Sequence, residues 1–179
     1  MKHLWIRLAA VALIAAAAST GASAASGKKT YAPRGEALPN QVERLLVEKR
    51  YDEALKVAED GLKANGMSVQ LRFQRAVVLE RMGRAEDAIA AFEEIIRTYP
   101  EIPEPYNNLA AIYSQQGKLD RAEELLKKAL LMRPDFSTAL INLGNLYLVR
   151  ARENWSRANK IQPSKDLADK ISGCDAMLK

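Results

Sequence analysis

A spacing of 34 residues recurs along this sequence, and it constrains the fold more than any other feature. Ala54, Ala88 and Ala122 keep it, as do Leu45, Leu79, Tyr113 and Tyr147. Ala76, Ala110 and Gly144 share it, with Gly83 and Gly117, Pro100 and Pro134, and Asn108 and Asn142. One register held by so many residue types marks a chain built by stacking copies of a single supersecondary unit.

Each unit reads as two helices, so the expected fold class is all-α. Tyr106, Leu109, Ala110 and Tyr113 stand at i, i+3, i+4 and i+7, which places them on one helical face. Gly117 stops that helix, because the left-handed conformation of a helix end costs glycine nothing. Asp120 opens a second helix whose buried stripe is Ala122, Leu125, Leu126, Ala129 and Leu130. Pro134 closes the unit, since it lacks an amide donor and disfavours helix at the residue before it. Small residues recur where paired helices must approach: Ala76, Ala110 and Gly144 on first helices, Ala54, Ala88 and Ala122 on second ones.

Tyr106, Leu109, Ala110, Tyr113, Gly117, Ala122, Ala129 and Pro134 resemble the pattern of the tetratricopeptide repeat (TPR) family. Residues 69–102 resemble it through Ala76, Gly83, Ala88, Phe92 and Pro100, with Ile95 in place of the usual small residue. Residues 35–68 match only in their second half, through Tyr51, Asp52, Glu53, Ala54 and Leu55. The resemblance covers residues 36–163, as repeats at about 35–68, 69–102, 103–136 and an atypical 137–163, and it implies a right-handed α-solenoid. The run at 99–110 is also similar to small exported TPR proteins of Gram-negative bacteria.

The fourth unit is short. Tyr113 to Ala122 spans nine steps, whereas the matching Tyr147 to Ala151 spans four, so five residues and the glycine turn are missing. Nothing between Ala139 and Asn159 breaks a helix. The expectation is one fused helix that caps the stack and hides its last apolar face, then a short helix from Lys165 to Met177 within a capping segment, 164–179.

Residues 1–24 read differently. Lys2 and Arg7 precede an apolar run from Leu8 to Ala18, and Ala22-Ser23-Ala24 follows: the order of a cleaved secretory signal peptide. The run is shorter than the roughly 20 residues that cross a bilayer. Cleavage predicts a periplasmic or secreted protein with a flexible linker at 25–35. It removes no acidic residue, so 25 basic residues face 22 acidic ones, a net charge of +3. That balance does not call for nucleic acid.

Catalytic chemistry is poorly supplied. The single histidine, His3, lies in the signal segment, which removes histidine acid–base chemistry, Ser-His triads and His-rich metal sites. The glycines are scattered singly and form no phosphate loop. Glu93 with Arg97, Glu123 with Lys127 and Glu124 with Lys128 have the spacing of solvated helix-face pairs. The chain is therefore expected to be no enzyme and to need neither cofactor nor metal. Cys174 is either a structural residue of the cap or a thiol open to intermolecular pairing. Arg150, Arg152, Arg157, Lys160 and Lys165 read as a solvated face, and Trp155 as core.

The expected site is the concave side of the stack. With the buried face of the third unit fixed, helical geometry turns Asn107, Asn108, Ala111 and Ser114 away from the paired helix. One period back stand Phe73, Gln74, Val77 and Arg81, and one period on Ile141, Asn142 and Asn145. Asparagine amides both donate and accept, which suits an extended peptide backbone. Asn108 and Asn142 also match a position where TPR repeats commonly carry asparagine. Phe73, Asn107 and Ile141 stand where some TPR domains place a carboxylate-gripping lysine, so that mode is not expected. The function predicted is a cell-envelope scaffold for a protein or peptide partner. The alternative is a structural subunit or oligomerisation module of an envelope complex.

Overall fold

The computed structural model describes residues 37–179, and the signal segment and the linker expected at 25–35 lie outside these described residues. Eight helices follow one another there with no strand among the described residues: α1 (Leu38–Val47), α2 (Tyr51–Ala64), α3 (Val69–Arg81), α4 (Ala85–Thr98), α5 (Pro103–Gln115), α6 (Leu119–Met132), α7 (Ser137–Ile161) and α8 (Lys165–Met177). The described residues are all-α, in the helix-pair order that the 34-residue spacing predicts.

Local chemistry sets the helix ends. Pro103 takes the first turn of α5, where no amide donor is needed. The Ser68 and Ser164 hydroxyls cap α3 and α8 by accepting from the Leu71 and Leu167 amides at 3.3 and 3.2 Å. Three turns close in one way, 34 residues apart. The amides of Lys49, Gly83 and Gly117 donate to the carbonyls of Leu46, Glu80 and Ser114, and the next amides reach back to Leu45, Leu79 and Tyr113. All three residues have positive φ, at 58°, 76° and 74°. The first unit lacks the glycine, and its first helix spans 10 residues against 13 in α3 and α5.

The described chain forms two compact units, residues 37–91 and 92–179, divided within α4. In residues 37–91, α1 packs on α2, and α3 packs on both. Val42, Leu45, Ala54, Ala58, Leu71, Val78 and Leu79 form the core. In residues 92–179, α5 pairs with α6, α7 lies against both, and α8 packs on α7. Here Phe92, Ile95, Leu109, Ala110, Ala122, Leu126, Ala129 and Leu146 are buried. Ala110 and Ala122 have no exposed surface, as their places on the paired α5 and α6 require.

α7 is a single helix of 25 residues, running through Val149 and Arg150 without interruption. The five missing residues are absorbed by fusion. The apolar face at its N-terminal half is not hidden, contrary to expectation: Gly144 is exposed, and so are Leu140 and Tyr147. α8 covers only the C-terminal half of α7, where Arg152 pairs with Asp175 and the Lys170 ammonium stands 5.9 Å from the Trp155 ring centre. Trp155 is half-buried, and Cys174 is sealed at 1% exposure.

Candidate functional site

The expected groove residues divide into two groups. On α3, Phe73 and Arg81 are half-buried, whereas Gln74 and Val77 are buried. The Gln74 amide nitrogen donates to the Pro39 carbonyl at 2.9 Å and ties α3 to the start of α1, leaving its buried Oε1 without a hydrogen-bond partner. Glu80, on the same helix, has its carboxyl pushed above the usual carboxylate range by burial, against the opposing pull of Arg81.

On α5 and α7, Asn107, Ser114 and Asn142 are buried rather than presented to solvent. Asn142 Nδ2 donates to Asn107 Oδ1 at 2.9 Å, and Asn107 Nδ2 donates to Asn108 Oδ1 at 3.4 Å. The amides expected to meet a ligand thus bond to one another and fix the register of α5 against α7. The accessible members are Asn108, Ala111 and Asn145, all half-buried, and Ile141, which is exposed. They lie within one turn of the Asn107–Asn142 bond, in an uncharged strip. Glu104, near the start of α5, is buried and ion-paired with Arg133 at 2.8 Å, and the Arg133 guanidinium stacks 3.8 Å from the Phe136 ring centre.

A second concavity, of about 520 Å³, opens in residues 92–179. Ile96, Tyr106, Leu109, Tyr113 and Leu125 line its floor, and Glu93, Arg97, Asp120, Arg121, Glu124 and Lys128 its rim. The Tyr113 hydroxyl donates to Glu93 at 3.3 Å, while Lys118 and Arg121 stand 5.3 and 5.2 Å from its ring centre. Three acidic and three basic rim residues balance, so the cleft selects no sign of charge. Sequence reasoning assigned Tyr106, Leu109 and Tyr113 only to helix pairing. The signal lay in the charges that α4 and α6 set along both sides of that stripe.

A charged cluster joins α6 to α7. Arg150 pairs with Asp120 and with Glu123, which also accepts from Lys127 at 2.7 Å and from the Tyr147 hydroxyl at 3.0 Å. Hydrogen bonds from Lys127, then Tyr147, hold the Glu123 carboxyl below its ordinary value. Among the described residues no group of three or more His, Cys, Asp or Glu is placed to hold a metal ion. No described helix is long and apolar enough to cross a membrane.

Residues 71–135 match a family model described as tetratricopeptide repeat. The human mitochondrial import receptor subunit TOM70 is 25% identical over 142 residues, which cover 76% of this chain and 23% of that protein. The chain thus spans less than a quarter of that relative's length. A solved thermophilic TPR protein from Thermus thermophilus, TTC0263, aligns with a TM-score of 0.60 at 18% identity, covering 79% of this chain and 81% of its own. The first TPR of Spaghetti (RPAP3), bound to the HSP90 peptide SRMEEVD, aligns with a TM-score of 0.58 at 19% identity, covering 64% and 90%. At these identities the two structures speak for the fold. Residues 71–135 carry the signature of the tetratricopeptide repeat family.

Proposed function

We propose that this protein is a non-enzymatic protein-interaction scaffold of the bacterial cell envelope that holds an extended peptide segment along α5 and α7. The observation that carries the reading is the amide chain from Asn142 through Asn107 to Asn108. Its buried members hold the two helices in register, and it ends on a half-buried asparagine in the same strip as exposed Ile141. A peptide backbone can pair with the outer amides of Asn108 and Asn145 while an apolar side chain packs on Ile141 and Ala111. That a structural neighbour holds a peptide supports this class of partner. The strip carries no charge, so affinity is expected to vary little with salt. Residues 1–24, read as an export signal, are the basis for the envelope location.

The test is photo-cross-linking in intact cells, with the reactive side chain placed at Asn108, at Ile141 or at Lys128 on the rim of the cleft. Adducts of one mass at Asn108 and Ile141, absent at Lys128, are the expected result. Adducts confined to Lys128 would move the binding surface to the cleft and overturn the assignment.

A further inference from the structure

Among the described residues, the stripe that pairs α5 with α6 has no covering helix one period later. Tyr106, Leu109, Ala110 and Tyr113 are buried on α5. Their counterparts on α7 are Leu140, 50% exposed, half-buried Leu143, Gly144, and Tyr147, 44% exposed. A Cβ built on Gly144 would meet nothing within 4 Å. The cause is the missing turn. Residues that would fold back as the covering helix extend α7 to Ile161 instead, and α8 packs on the far half. Among the described residues, a berth one helix wide stays open over the N-terminal half of α7, continuing the kind of interface that α5 makes with α6.

Three properties of the stripe point to its occupant. The order of sizes is large, small, large, small: Leu140, Gly144, Tyr147, Ala151. Laid antiparallel about a two-fold axis between Asn145 and Leu146, it sets Leu140 against Ala151 of the second copy, Gly144 against Tyr147, and Leu143 against Leu148. Leu140 and Tyr147 then each meet a small residue, and Leu143 packs on a leucine. Charge agrees, because Arg150, Arg152, Glu153, Arg157 and Lys160 all project off the stripe at about 100° per residue. The nearest, Arg150, is already engaged by Asp120 and Glu123. Finally, the N-terminus of α7 has no side-chain cap. The same register brings Asn154 of the second copy to that first turn, where its carbonyl oxygen can accept from free amides.

We propose that the open face of α7 is a homodimer interface, two copies of α7 packing antiparallel about the Asn145–Leu146 axis. The overlap runs from Ser137 to Asn154, about 27 Å of helix. A helix pair of that length sits at the small end of specific interfaces, and the dimer is expected to dissociate at roughly 10–100 µM. The proposal does not depend on the peptide strip of α5 and α7.

Sedimentation velocity between about 1 and 500 µM brackets that expected range, using protein purified in the form its cells produce. Wild type should pass from monomer to dimer across it. Leu140→Glu and Ala151→Lys should each raise the midpoint at least tenfold. The double variant should restore it, because the symmetry sets each new glutamate against a new lysine twice. Thermal unfolding of each variant checks the fold, and Asn108→Ala, outside the interface, should dimerise as wild type does. Wild type that stays monomeric to the top of the range overturns the proposal, whether or not another protein's helix binds the face. A dimer that both single variants leave intact, or that the double variant fails to restore, overturns the register.

Discussion

Lys49 stands 34 residues before Gly83 and turns through the same left-handed conformation, at φ 58°. A side chain there costs about 1–2 kcal/mol, partly offset by the greater chain entropy that glycine loses on folding. Lys49→Gly should therefore stabilise the fold by about 0.5–1 kcal/mol, and Gly83→Ala should cost about 1 kcal/mol. Nothing lies within 4 Å of a Cβ at Gly83, so the effect there is conformational and not steric. Urea midpoints measure both, and a Lys49→Gly protein no more stable than wild type would refute the strain. The two glycine turns were readable from the sequence because the requirement is local. The fate of the asparagines was not. Helical phase tells which side chains point away from the paired helix, but not that α7 arrives beside Asn107 and takes up its amide. Val77 and Ser114 were misread for a similar reason: phase within one helix says nothing of what the rest of the fold covers.

Among the elements, α7 shows both the reach and the limit of a spacing argument. Counting steps between Tyr147 and Ala151 predicts fusion, and the helix is continuous. Amide exchange should accordingly be slow through Val149 and Arg150, at rates like those of the residues on either side. A glycine-containing turn inserted after Leu148 should pull Trp155 away from its packing and cost about 2–4 kcal/mol. Fast exchange confined to 148–151 would instead indicate a loop. The same counting cannot reveal what a fused helix leaves uncovered. Burial of the Leu140 face needs a second helix folding back at that height, and α8 is placed by its own contacts, Asp175 with Arg152 and Lys170 with Trp155. The cleft was equally out of reach, since its walls come from α4 and α6 and its floor largely from the stripe of α5 between them.

For the molecule as a whole, the repeat unit was the readable part: the period determines the helix pairs, and the pairs supply the buried residues of 37–91 and of 92–179. The destination of the chain is a different kind of property, and the segment read as its signal lies outside the described residues. If residues 1–24 are a cleaved export signal, protein recovered from the periplasm should have an intact mass that begins at Ala25. Full-length protein retained in the cytoplasm would remove the envelope from the proposed function. Either way the molecule carries one sulfhydryl, Cys174, which is closed off where α8 packs on α7. In an oxidising compartment its chemical lifetime is set by how often α8 lifts. Whenever reclosing outpaces attack, the rate at which a small thiol reagent modifies the folded protein becomes a direct clock of that opening.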